Sequence, residues 1–433
     1  MYNVTEQKCR FRQKCSKDVE NMLIDRDEYL KRLIESKHIN LIKVVTGIRR
    51  SGKSYLLDPL FTNHLKESGV NDNHIIKIEL DQLKNHKYHD PYLLDEYIRS
   101  KIIDDNMHYV ILDEIQLVSN FESLLNGYLN MSNVDIYITG SNSRFLSSDI
   151  ITEFRGRSHQ IRIYPLSFKE FYDAKKMSKN ESYQQYIRYG GMPLLISLTT
   201  DQEKASYLKN LFELTYFKDI IERNNVEKNE VLTSLTKIIA STIGSLTSAR
   251  KLTNTYKGNG NKELSINTVV SYLGYLEDSF LIESVNRYDV KGKRYIESLS
   301  KYYFTDIGLR NSILNFRQQE ENHIMENVVY LELVRRGYNV DVGIVEIREN
   351  DTRKQLEVDF VCNQHNKRYY VQVALNLDSR EKTIQETRPF VNIDDSFKKI
   401  IVVKDEIIPW VTEDGILIIG IIEFLLNCDS LNL

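Results

Sequence analysis

The chain has 433 residues, 41% of them hydrophobic and 27% charged, with a formal net charge of −3 at pH 7. At about 150 residues per domain, that length is enough for several separate cores in an ordinary soluble globular protein. So balanced a charge excludes a polycation and confines any nucleic-acid surface to a local patch. Four cysteines, at 9, 15, 362 and 428, form no Cys-x-x-Cys pair, so reduced thiols in a cytosol are expected. The first residues lack the apolar core of a signal peptide, and the apolar stretch 415–426 is too short to cross a bilayer. A cytoplasmic protein with no membrane partner is therefore expected.

In chain order, residues 1–22 are polar and read as a loose extension. DRDEYLKRLIE then puts Tyr29, Leu30, Leu33 and Ile34 on one helical face. LIKVVTG reads as a buried strand, and a helix follows from Ser54. Further strands are expected at 74–80, 109–114, 135–140 and 159–166, with helices at 91–104 and 121–129 between them. Short apolar strands alternating with amphipathic helices predict an α/β fold, a parallel sheet covered on both faces, over 23–166. Residues 167–230 read as a helical lid or linker broken by YGGMP (189–193). The 231–311 segment predicts helices at 231–243, 246–256 and 265–282, the last capped by Ser265. The charged hairpin RYDVKGKRY (287–295) follows. A second α/β domain fills 312–433.

The stretch from Val44 to Phe61, VVTGIRRSGKSYLLDPLF, contains Gly47, Gly52, Lys53 and Ser54 in the order G-x-x-x-x-G-K-S. Glycines at both ends let the backbone curl with its N–H groups toward a phosphate chain, and the helix N-terminus adds partial positive charge. The phosphate cradle is expected to comprise Gly47, Ile48, Arg49, Arg50, Ser51, Gly52, Lys53, Ser54 and Tyr55. Lys53 reaches the β and γ phosphates, and the Ser54 hydroxyl takes Mg²⁺. YVILDE supplies the partners: Asp113 for the metal and Glu114 to activate water. ITGSNSR offers Asn142, with Ser141 beside it, as the third polar group near the γ-phosphate. FRGR adds Arg155 and Arg157 as finger arginines, serving their own subunit or a neighbour's.

VTGIRRSGKS, YVILDEIQ, YITGSNS, FRGR before YPLSFKEF, and YGGMP together resemble the AAA+-like P-loop ATPases of bacteria and archaea that carry a C-terminal domain of unknown function. KYYFTDIGLRN, ENVVYLELVRRGYNV and LEVDFV extend the resemblance from Leu23 to the C-terminus. It implies ATP with Mg²⁺, a P-loop NTPase core, a winged-helix module and a restriction-endonuclease-like end domain. In the winged-helix reading Arg287, Lys291, Lys293 and Arg294 touch double-stranded DNA, although 231–300 holds only nine Lys/Arg against six Asp/Glu. For metal-dependent cleavage, the end domain offers Glu326 and Asp359, with Glu357 on the same strand face as Asp359. Its next strand has Gln372 and Ala374 where an acidic residue and a lysine are needed, with only Arg380 or Lys382 nearby. A retained fold without cleavage is expected. The leading expectation is a Mg²⁺-dependent ATPase coupled to DNA. Its alternatives are a nucleotide-gated protein-interaction or scaffold protein, as a homo-oligomer or with another protein, and an ATP-powered nuclease.

Overall fold

Alternate residues of one run are buried in opposite directions in the first half of the chain, which fixes its architecture. In the computed structural model, which describes residues 24–140, 154, 156–258, 264–317 and 320–433, five strands form one parallel sheet. These are β1 (Ile42–Thr46), β2 (Ile75–Glu79), β3 (His108–Asp113), β4 (Val134–Thr139) and β5 (Ser158–Arg162), in the order β2-β3-β4-β1-β5. Ile42 and Val44 face one side with Val110, Leu112, Ile136 and Ile138, under Leu94, Ile98 and Leu125. Val45, Ile111 and Tyr137 face the other, under Tyr29, Leu33, Phe61 and Leu65. The expected strands all form, to within a few residues at their ends. Parallel strands dressed on both faces require this unbroken apolar character.

The lid helices start where the sequence places caps. Ser167 and Glu170 form a reciprocal capping box ahead of the helix Phe168–Lys175. Thr200 and Glu203 do the same for Asp201–Leu211. The YGGMP segment is fastened: the buried Asp306 carboxylate accepts the Gly191 N–H at 2.7 Å and caps the following helix through Leu309 N–H at 3.0 Å. Burial pushes Asp306 up to about 6. Ser265 caps the helix Ile266–Asp278, accepting from Thr268 N–H at 3.0 Å.

The hairpin, β6 (Ile282–Asp289) with β7 (Arg294–Phe304), forms as expected but does not stand free as part of a separate module. β6 pairs in parallel with β8 (Asn339–Glu349), which continues through β9 (Thr352–Gln364), β10 (Lys367–Ala374), β11 (Lys398–Val403), β13 (Ile416–Gly420) and β12 (Trp410–Val411). The result is one eight-stranded mixed sheet with β7 at its edge. A single hydrophobic core runs from Phe171 and Tyr186 of the lid through Leu276 and Phe304 to Val328, Ile400 and Leu425. Among the described residues no helix is long and apolar enough to cross a membrane.

Candidate functional site

The turn after β1 is shaped by two glycines. Gly47 has φ +142°, and a Cβ there would lie 2.2 Å from the Ile163 carbonyl oxygen; Gly52, at φ +97°, starts the helix. Lys53 is buried, its Nζ donating to the Gly47 and Ile48 carbonyls at 3.0 and 3.2 Å. Burial pushes its pKa down to about 8, against the pull of Glu114 and Asp113 and with a further push from Arg49. Burial also raises the Asp113 pKa, opposed by hydrogen bonds from the Thr139 and Ser54 hydroxyls. Ser54 and Asp113 therefore meet, and an all-oxygen donor pair of this kind fits a hard cation such as Mg²⁺. Glu114 follows in a left-handed conformation, φ 57°, its N–H bonded to Thr139 Oγ1 at 3.0 Å and its carboxylate to the Gln116 side chain. That turn lifts Glu114 from the strand end into a cleft of about 840 Å³, which Arg49, Arg50, Gly52, Lys53, Ser54 and Tyr55 also line. Ile48 and Ser51 sit behind the loop, the Ser51 hydroxyl buried without a partner.

A model described as AAA domain matches residues 40–172, and two domains of unknown function, DUF8612 and DUF4143, match 180–320 and 321–424. An uncharacterized protein of Haemophilus influenzae is 32% identical, over 94% of this chain and 99% of its own length. Uncharacterized protein MJ1544 of Methanocaldococcus jannaschii is 31% identical, over 89% and 87%. The chain belongs to the same family as these two proteins. Residues 40–172 form an AAA+-like P-loop ATPase domain. Among solved structures, the Walker-type ATPase PABY2304 of Pyrococcus abyssi is 17% identical, with a TM-score of 0.49 over 67% of this chain and 96% of that one.

The AAA domain's cleft holds residues the motif does not reveal. Arg223, on the lid helix Lys218–Asn224, lines it together with Glu114. Asp219 of the same helix bridges Arg49 of the loop, at 2.6 Å, and Arg223, at 3.4 Å. Tyr216 adds a hydrogen bond to the Arg49 carbonyl at 2.5 Å. In sequence, Asp219 and Arg223 are an ordinary i,i+4 surface pair. Behind the loop, buried Arg26 donates to the Ser51 carbonyl at 3.2 Å and the Tyr164 carbonyl at 2.6 Å, and pairs with Glu170 at 3.0 Å. Nothing in its local sequence marks it.

Other expected site residues fall elsewhere. Asn142, Ser141 and Arg155 lie outside the described residues. Arg157 is exposed, and its carbonyl accepts the Ile42 N–H at 2.9 Å at the start of β1. The loop leaves the other end of that strand, about 16 Å away at 3.3 Å per residue. Arg157 therefore does not reach the phosphate site of its own chain. On the hairpin, Arg287 is buried and donates to Gln355 Oε1 at 2.6 Å, so it is not available to DNA; Lys291, Lys293 and Arg294 are exposed. His74, Asp104 and His108 sit together at the far end of the sheet. Both His108 ring nitrogens are already engaged there, with the Asn106 carbonyl at 2.7 Å and the Ile103 N–H at 3.2 Å.

The lysine missing beside Asp359 comes from the hairpin. Lys301 of β7 is buried, its Nζ 2.7 Å from Glu326, 2.7 Å from Glu357 and 3.5 Å from Asp359. Tyr303 donates to Glu326 at 2.5 Å and Val373 N–H to Asp359 at 2.8 Å. Gln372 is tied to the Asp359 N–H and to Glu386, both at 3.2 Å. Despite burial, the carboxylates raise the Lys301 pKa, while burial and the neighbouring carboxylates raise that of Asp359.

Proposed function

We propose that this chain binds and hydrolyses ATP with Mg²⁺ and couples its nucleotide state to a nucleic-acid partner. The observation that carries this reading is the meeting of Lys53, Ser54, Asp113 and Glu114 around one open cleft. In it, the loop's N–H groups and Lys53 bind the phosphates, with Lys53 leaving the Gly47 and Ile48 carbonyls to do so. Ser54 and Asp113 would hold Mg²⁺, which when bound would neutralise charge on the phosphate oxygens. Glu114 orients water and accepts its proton. Arg223 and Asp219 let the lid sense the γ-phosphate: an anion beside Arg49 and Arg223 competes with the Asp219 carboxylate for both cations.

Arg157 contributes in a second copy's cleft, since its place at the opposite end of the sheet serves a neighbour and not its own site. The second sheet acts as a scaffold whose carboxylates take Lys301 as their cation, so the chain does not cut nucleic acid. ATP rather than GTP rests on the family resemblance.

The deciding experiment measures ATP binding and phosphate release for wild type and Glu114→Gln. The variant is expected to keep its affinity and lose turnover by about 100-fold, the scale of a lost general base. Unchanged turnover would remove Glu114 from the mechanism; absence of binding in the wild type would remove the whole reading.

A further inference from the structure

Far from the nucleotide cleft in sequence, the turn at residues 290–293 between β6 and β7 meets the turn at 365–366 between β9 and β10. Two adjoining hollows of about 560 and 370 Å³ open there and share Tyr288, Asn363 and Arg368. Aromatic rings and unpaired cations are interleaved around them. Tyr295 is 61% exposed and packs edge-on against Tyr288, with ring centroids 5.6 Å apart. The Arg368 guanidinium lies 5.5 Å from the Tyr288 ring centre and 5.4 Å from that of Phe397, oriented by Asn363 Oδ1 at 2.7 Å.

The charges around the hollows are asymmetric. Asp289 is bound by the Gly292 N–H at 2.9 Å and by Arg294 at 3.5 Å. Asp341 accepts from Tyr295 at 3.4 Å, and Asp395 from Tyr370 at 2.5 Å and Phe397 N–H at 3.2 Å. Lys291, Lys293 and Lys367 are exposed, and no described carboxylate pairs with them. Asp289 is paired with Arg294, while Asp341 and Asp395 are held by neutral donors and keep their charge, so five cations (Lys291, Lys293, Arg294, Lys367 and Arg368) stand against three carboxylates around the hollows.

We propose that this surface binds single-stranded nucleic acid, its bases stacking on Tyr295 and the Arg368 plane and its phosphates lying along Lys291, Lys293 and Lys367. The proposal rests on the nucleic-acid reading above and names its surface. A charged ridge alone would suit any polyanion. An exposed ring beside a guanidinium plane recognises flat bases whose faces are uncovered, which a single strand offers and a duplex hides. Two small hollows around one arginine also suit successive nucleotides better than the breadth of a double helix.

The test is fluorescence anisotropy of the full chain without ATP, using a 20-nucleotide single strand and the same sequence as a duplex, across a salt series. The single strand is expected to bind more tightly, with log K falling against log salt at a slope of about −2 for three phosphate contacts. Tyr295→Ala should weaken it roughly five- to a hundredfold, the range for one lost stack, while Tyr295→Phe retains binding. Lys291→Gln with Lys293→Gln and Lys367→Gln should flatten the slope. Equal affinity for strand and duplex, or full binding by folded Tyr295→Ala, overturns the proposal. So does association with a protein while both nucleic acids are ignored. ATP turnover without strand binding sinks this surface alone; strand binding without ATP turnover sinks the nucleotide reading alone.

Discussion

Among the buried lysines, Lys53 and Lys301 both sit beside carboxylates and meet opposite fates. Lys53 is held by two carbonyl oxygens, with Asp113 and Glu114 near but not touching; burial wins, and its pKa falls to about 8. Lys301 lies within 3.5 Å of three carboxylates, and their attraction outweighs burial. The first arrangement leaves an ammonium short of partners at the mouth of an 840 Å³ cleft, ready for an anion. The second leaves nothing to gain from a ligand. Lysine beside acids is thus a binding site or a structural joint according to how completely the protein itself supplies the countercharge.

The sharpest way to break that contrast is to remove Lys301. Lys301→Met leaves three acids facing one another at a buried site, and is expected to cost about 3–5 kcal/mol in denaturant unfolding. A loss below 1 kcal/mol would mean the joint is ornamental. Lys53→Ala should instead leave stability nearly intact and lower ATP turnover by about 100- to 1,000-fold, the scale of a lost charge-stabilising donor. Arg157→Ala should reduce turnover by about tenfold or more. Mixing it with the Lys53→Ala protein should restore activity, because each copy supplies what the other lacks; no recovery would deny a shared site. The smallest effect is in pH. A lysine with its pKa lowered to about 8 is charged below that value and neutral above it. Affinity for ATP should therefore weaken about tenfold between pH 7 and pH 9, tracking the charged fraction. A flat profile would show that Lys53 is not the group the phosphates meet.

Much of the AAA domain was legible because its signals are local. Runs such as YVILD must be buried on both faces to make sense, and Gly47 and Gly52 bracket a turn whose geometry follows from their missing side chains. Ser265 announced its helix in the same way. The second sheet was less readable because its decisive contacts are distant in sequence. Lys301 in SLSKYYF looks like any strand lysine until β6 pairs with β8 and carries β7 alongside Glu326 and Asp359. Arg287 reads as a hairpin cation and is buried by the same pairing, which sets Gln355 against it. Arg223 was hidden differently: a lid residue gains its meaning only when the chain folds back over the loop.

The parallel seam between β6 and β8 also limits how the chain can be divided. Ending it at residue 311 would take β8 away from β6 and bare the backbone amides and carbonyls from Arg287 to Val290 that pair with Val342, Gly343 and Ile344. Such a fragment is primed to stick edge to edge to its own copies. Starting at residue 312 would leave Glu326, Glu357 and Asp359 crowded together without their ammonium. Neither half is a self-sufficient piece, and what evolution can insert, delete or exchange here must keep both sides of that seam together.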